Sequence, residues 1–368
     1  MGKIYTALGL MSGTSMDGVD ASIIETDGKA EYKAILDKYF EYPKNIYKNL
    51  TSLRDKIKSL KDLKKYQKQI KSIEKEITIF HAESVNRILK KTKENIDFVG
   101  FHGQTIFHNA EEKITKQIGD GKLLSKLIKK IVVYDFRQND LKSGGEGAPL
   151  TPIFHQMLEK KFNIKPVSFF NIGGILNKTT IRKDGYLSAK DEGPGMCLID
   201  KWIRTKSKKK YDVNGNIAQS GKVNEIVLDK YWDIFQSSCI DKKSYDISDF
   251  DISFANGLSL EDGAATLTFH TANIFIDNFK NNKTFKDVSK EKIILCGGGR
   301  KNKFLVNIIK TYNKDLKLID DYGIDGDFIE SQAFAYLAIR SYLKLPISFP
   351  ETTGCIKPCT GGIIVKNF

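Results

Sequence analysis

One pattern occurs twice in this chain and limits its possible folds more than any other: a strand, a tight turn of small residues, then a second strand. Near the start, the apolar run 4–11 leads into Ser12-Gly13-Thr14-Ser15, then Asp17-Gly18, then a second apolar run from Val19 to Ile24. Residues 166–181 repeat the pattern, with Asn171-Ile172-Gly173-Gly174 between the two runs. Glycine lets backbone N–H groups approach a ligand closely, and successive N–H groups in such a turn form a concave nest for an anion. One such turn in each half predicts a nucleotide held between two similar domains.

The segments downstream of each hairpin also recur. In the first half, 31–42 reads as a strand ending at Pro43. Ile46, Leu50, Leu53, Ile57, Leu60, Leu63, Ile70 and Ile73 then recur at steps of three and four, which predicts helix with a break near Ser59. The helix 75–91 runs into a buried strand, Ile96 to Phe101, that ends in His102-Gly103-Gln104. In the second half a connecting region precedes a helix from Gly257 to Lys280. The strand Lys292 to Leu295 comes next, ending in Cys296-Gly297-Gly298-Gly299-Arg300. The order points to an α/β chain of two related domains. We place the first at 1–134, with 345–368 returning to it, and the second at 135–344. The glycine-rich stretch 135–150 suits a loop lining a cleft near the junction.

Charge and cysteine usage narrow the functional classes. The formal net charge is +14 over 368 residues, but the lysines crowd into 44–75 and 203–210, with no aromatic-interleaved stripe for stacking bases. Solvated helix faces explain them, and no nucleic-acid partner is expected. No stretch approaches the ~18 uninterrupted apolar residues of a membrane span. The start, MGKIYTALGLMSG, breaks off too soon for a signal peptide, because Ser12, Gly13 and Asp17 interrupt it. Five scattered cysteines argue for a reducing cytoplasm. Cys355 and Cys359 have no second Cys or His pair nearby, and the five histidines lack metal-ligand spacing.

Two familiar phosphate sites are absent: no Gly-x-x-x-x-Gly-Lys-Ser/Thr, and no Gly-x-Gly-x-x-Gly opening a helix within a strand–helix–strand unit. A nucleotide must therefore use the hairpin turns and the glycines at 297–299, with Arg300 and Lys301 opening a helix beyond them. Carboxylates stand beside the glycine turns: Asp17, Asp120 after Gln117-Ile118-Gly119, Asp191 before Glu-Gly-Pro-Gly, and Glu330 opening a helix. Phosphoryl transfer needs charge neutralisation and a group that orients or deprotonates the attacking oxygen. Asp191 on a rigid Gly-Pro-Gly turn suits that role, or else it caps the following helix. Arg137, flanked by Asp135 and Asp140, is either an anion-binding group or a paired structural arginine.

Taken together, ten ordered segments resemble the anhydro-N-acetylmuramic acid kinase family, of the hexokinase–Hsp70–actin-like superfamily. They are GLMSGTSMDGVD (9–20), VGFHGQTIFH (99–108), QIGD (117–120), DFRQNDLKSGGEGAPLTP (135–152), NIGGILN (171–177), DEGPG (191–195), YDVNGNIAQSG (211–221), CGGG (296–299), ESQAFAYLA (330–338) and LPISFPETTG (345–354). The resemblance covers nearly the whole chain. It implies two duplicated RNase H-like domains, of actin/hexokinase type, around a central cleft for nucleotide and substrate. It also implies a cytoplasmic, ATP- and Mg2+-dependent enzyme of peptidoglycan recycling, acting as a homodimer on a small amino sugar.

By resemblance Asp191 is the catalytic base. Gly13, Thr14, Ser15, Met16, Asp17, Gly18, Val19 and Asp20 cradle the phosphates, helped by Gly173, Gly174, Gly297, Gly298 and Gly299. Asp120, Arg137 and Glu330 match positions that hold the sugar, and Asp17 is the nearest acidic group for Mg2+. Two places depart from the family pattern. Glu192 and Met196 replace the usual Thr and Asn after Asp191, and the usual Lys-Ser-Thr-Gly reads Lys243-Ser244-Tyr245-Asp246. The rivals are a kinase for another sugar, a nucleotide-switched scaffold and a basic nucleic-acid binder.

Overall fold

In the computed structural model, residues 2–109, 112–239, 245–280 and 291–368 are described. Packing divides the chain into two compact units, Met1–Asn163 with Phe328–Phe368, and Ile164–Asp327.

The first unit is built on one mixed sheet. β1 (Tyr5–Ser12), β2 (Gly18–Thr26) and β3 (Tyr32–Glu41) form an antiparallel meander. β4 (Phe98–Asn109) lies parallel to β1, with β5 (Ile114–Ile118) antiparallel to it and β6 (Ile131–Tyr134) parallel to it. β1 and β4 are buried through most of their length, as apolar strands covered on both faces must be. One cover is the helix pair Lys44–Lys56 and Gln67–Leu89, whose Leu50, Leu53, Ile73 and Ile77 join the core under the sheet. The other is the helix Ile329–Tyr342. Gly9 and Gly100 let its backbone come close: a Cβ at 9 would lie 1.9 Å from the Ser331 carbonyl oxygen, and one at 100 would lie 2.2 Å from that of Phe334.

The second unit repeats the topology. β7 (Val167–Ile172), β8 (Ile175–Ile181) and β9 (Leu187–Pro194) form the antiparallel meander. β10 (Lys292–Cys296) is parallel to β7 and β11 (Lys317–Leu318) is parallel to β10. The strand orders are therefore equivalent, β6-β4-β1-β2-β3 in one unit and β11-β10-β7-β8-β9 in the other. Trp202, Phe170, Phe275 and Leu267 anchor the second core. In the first unit, β12 (Ile363–Val365) adds antiparallel to β6.

Several expectations need adjusting. The helical stretch breaks at Ile57–Ser59, where Ser59 caps the helix Leu60–Lys65 by accepting from the Asp62 N–H, and again at Tyr66. β4 does not stop at His102 but runs to Asn109. The unit boundaries fall at 163/164 and 327/328 rather than 134/135 and 344/345. The close seat of Ile329–Tyr342 on β1 and β4 brings Glu330 into the first unit, and contacts such as Arg137 with His102 and Phe154 with Tyr32 hold 135–163 there. Residues Lys243 and Ser244 lie outside the described residues.

Candidate active site

The expected site residues fall into two groups, one in each unit. In the first, residues 13–17 connect β1 to β2, and Gly18, Val19 and Asp20 open β2. Gln104 Nε2, arriving on the neighbouring strand, donates to the Gly13 carbonyl at 2.9 Å, and Ser12 Oγ donates to the Gly18 carbonyl at 2.8 Å. The left-handed residue of the turn is Met16, at φ 58°, with its side chain buried. Glycine is required at 18 by packing, since a Cβ there would lie 2.4 Å from the Phe40 carbonyl oxygen. At Gly13 a Cβ would meet nothing closer than Ser15 Oγ at 3.9 Å. Thr14, Ser15 and Asp17 are exposed, Val19 is buried and Asp20 half-buried. Ser15 Oγ donates to Asp17 Oδ1 at 2.6 Å.

Of this unit's sugar-site candidates, Asp120 lines the same cavity as His102, and Arg137 bonds to that histidine. An open cavity of about 620 Å³, a size that suits a small ligand, is lined by His102, Lys116, Asp120, Tyr134, Asp135 and Gln138 among others. Asp120 also caps the helix Gly121–Ile128, its Oδ1 accepting from the Leu123 N–H at 2.9 Å. Arg137 donates from Nε and Nη2 to His102 Nε2, at 3.1 and 3.0 Å, and from Nη1 to the Gly147 carbonyl at 2.7 Å. Neither Asp135 nor Asp140 is its hydrogen-bond partner. Burial lowers the Arg137 pKa to about 10, with Glu330 and Asp140 opposing, so it stays cationic at neutral pH. Glu330 enters at the first turn of its helix; burial pushes its carboxyl above the usual range, and Arg137 opposes the shift.

In the second unit Asp191 sits within β9, paired across the sheet with Asn177. It is neither on a turn nor capping a helix: Cys197–Lys206 starts after Met196 without a side-chain cap. Asp191 Oδ2 accepts from the Tyr245 N–H at 2.9 Å. Just beyond, β9 is stapled to the turn after β7, with the Gly195 N–H on the Gly174 carbonyl at 2.9 Å and the Met196 N–H on that of Gly173 at 2.8 Å. The turn after β10 lies alongside, because Cys296 pairs with Asn171. Gly297 (φ 77°) and Gly299 are forced by closeness to Asn171 and Ile172, whereas a Cβ at Gly298 would meet nothing within 4 Å.

Arg300 does not open a helix. It lies in a single tight turn, and the helix Lys303–Tyr312 starts behind Asn302, which accepts from the Leu305 N–H at 3.0 Å. Its guanidinium is held by Asp320, Asp325 and Asp327, at 2.6, 3.1 and 2.6 Å, and so braces the turn from behind.

The two departures near Asp191 turn inward. Glu192 is buried, with Oε2 2.8 Å from Lys190 Nζ. Met196 packs against the core of its unit. Sequence reasoning assigns no role to His102, Asp135 or Tyr245. A histidine inside an apolar strand is the one available signal, and His102 carries it.

Cys355 and Cys359 meet Asp140, their donor atoms all within 4.8 Å of one another. Both Asp140 oxygens are already engaged, Oδ2 by the Gly147 N–H at 2.7 Å and Oδ1 by Thr353 Oγ1 at 2.6 Å. Ser348 Oγ lies 3.0 Å from Cys359 Sγ, and burial pushes the Cys355 thiol up to about 11. The cluster clasps the tail onto the loop that carries Arg137.

A family model described as anhydro-N-acetylmuramic acid kinase matches residues 5–367, and the chain belongs to that family. A relative of that name from Pelagibacter ubique (strain HTCC1062) is 54% identical over 100% of both chains. Another, from Zymomonas mobilis subsp. mobilis, is 39% identical over 97% of this chain and 99% of its own. Among solved structures, component A of (R)-2-hydroxyglutaryl-CoA dehydratase from Acidaminococcus fermentans aligns with 92% of this chain and 100% of its own, at 12% identity and a TM-score of 0.46.

Proposed function

We propose that this protein is an ATP-dependent kinase that opens 1,6-anhydro-N-acetylmuramic acid with water and phosphorylates it, giving N-acetylmuramate 6-phosphate and ADP. Family membership over residues 5–367 carries the reading.

Asp191 is the base. It takes a proton from water as the water oxygen attacks the anomeric carbon. The bond from that carbon to oxygen 6 breaks, and oxygen 6 takes the γ-phosphoryl group as ADP leaves. The aim given to Asp191 by the Tyr245 N–H, on a rigid strand, supports this role, since general-base catalysis depends on fixed geometry. The phosphates are held by residues 13–20 and by the turns at 173–174 and 297–299. Gly13 and Gly298 support that assignment, because each leaves open a space that a side chain would fill. Mg2+ would be held through Asp17, whose carboxylate is exposed beside Ser15, and would neutralise triphosphate charge. Asp120, Arg137 and Glu330 hold the sugar, Arg137 through charge-assisted hydrogen bonds.

The enzyme works in the cytoplasm, in peptidoglycan recycling, as a homodimer. Among the described residues no helix is long and apolar enough to cross a membrane. The test is turnover in oxygen-18 water: the label must appear on the anomeric carbon of the product. Phosphorylated sugar without the label would refute the mechanism.

A further inference from the structure

Arginine carries five N–H groups, and in Arg137 the fold commits three of them. Nε and one N–H of Nη2 go to a single acceptor, His102 Nε2, and one N–H of Nη1 goes to the Gly147 carbonyl. Two N–H groups remain, one on each terminal nitrogen. Two is the number that a carboxylate's pair of oxygens can take up.

His102 can accept in this way in only one form. Its Nδ1 lies 2.8 Å from the Gly103 carbonyl oxygen, which can only accept, so Nδ1 carries the proton and Nε2 offers its lone pair. The Phe334 ring packs against the imidazole with centroids 4.5 Å apart. Burial, and then the Arg137 charge, keep the imidazole neutral by holding its pKa well below the ordinary value. The same ring forms part of the cavity wall.

We propose that His102 is a positioning residue: it takes up Nε and one N–H of Nη2 of Arg137 and so leaves the two remaining N–H groups for the carboxylate of the sugar's lactyl ether. The assignment rests on the reading of Arg137 as a sugar-binding group. In geometric terms, His102 makes the site selective for an acidic sugar.

The experiment compares binding of 1,6-anhydro-N-acetylmuramic acid with that of 1,6-anhydro-N-acetylglucosamine, which lacks the lactyl ether. Calorimetry is run on the full chain as wild type, His102→Ala, His102→Gln and Arg137→Ala. The wild type should favour the acidic sugar by roughly tenfold or more, the worth of one charge-assisted pair. His102→Ala should lose most of that preference, the acidic sugar weakening several-fold more than the neutral one. His102→Gln, whose side-chain carbonyl can accept, should recover part of it. Equal weakening of both sugars in His102→Ala, or no change in either, overturns the proposal. Arg137→Ala with its preference intact overturns the assignment of Arg137 instead. Nitrogen NMR of the wild type is independent of how the variants fold, and an Nε2-protonated His102 would also overturn the proposal.

Discussion

The Asp191 carboxylate accepts a hydrogen bond from the Tyr245 backbone N–H at 2.9 Å, across 54 residues of chain. An asparagine at 191 can offer its carbonyl oxygen to the same donor, so local geometry should survive while basicity is lost. We expect Asp191→Asn to bind ATP normally and to lose turnover by ~10²-fold or more. Steady-state rates, paired with nucleotide titration, check this. Near-normal turnover would remove Asp191 from the mechanism.

Two glycines should respond in opposite ways. Gly9→Ala drives a methyl group into the Ser331 carbonyl of a packed helix, and we expect a stability loss of about 1–3 kcal/mol, as for other overpacked cores. Gly298→Ala meets no atom of the protein within 4 Å, so its urea midpoint should not move. Its KM for ATP should rise roughly tenfold, the equivalent of ~1.4 kcal/mol. Unchanged KM would take the 297–299 turn out of the nucleotide site.

Asp17 stands exposed at the rim of the first turn, so replacing it should cost little stability. Asp17→Asn should need more Mg2+ to reach half its maximal rate. A Mg2+ titration at saturating ATP that superimposes on the wild-type curve would move the metal assignment elsewhere.

Asp200 gives a pH signature. Burial raises its pKa to about 6, with Asp212 adding to the shift and Arg204 opposing it, and its Oδ1 is buried without a hydrogen-bond partner. A carboxyl raised in the folded state contributes most stability below its unfolded pKa near 4, and that contribution is lost as pH climbs through 6. Asp200→Asn should therefore match wild type at pH ~4 and exceed it above pH ~6, by roughly 3 kcal/mol. Denaturant melts across that range would show no divergence if the side chain were solvated.

The hairpins, the helical periodicity and the duplication were legible because each is a local pattern of apolar spacing. The strand β9 was not, because Asp191-Glu-Gly-Pro-Gly has the composition of a turn. It holds as strand because Gly193 adopts φ 145° and Pro194 stands at the strand's end, where its missing N–H costs least. β4 runs past its expected end because β5 pairs with it from Gln104 to Asn109. Carboxylates beside glycines stand out in the sequence as candidate site residues. The groups that orient Asp191 and Arg137, the Tyr245 N–H and His102, arrive from far along the chain, and only His102, a histidine inside an apolar strand, leaves a trace in local sequence.

Gly9 and Gly100 press against a helix that the ribosome makes long after them. Until residues 329–342 emerge, that face of the first sheet is bare, while the stretch from Ile164 to Asp327 already holds every strand of its own. Birth order and folding order part company here: the middle of the protein can finish first, and the beginning waits, uncovered and prone to stray association, for the end.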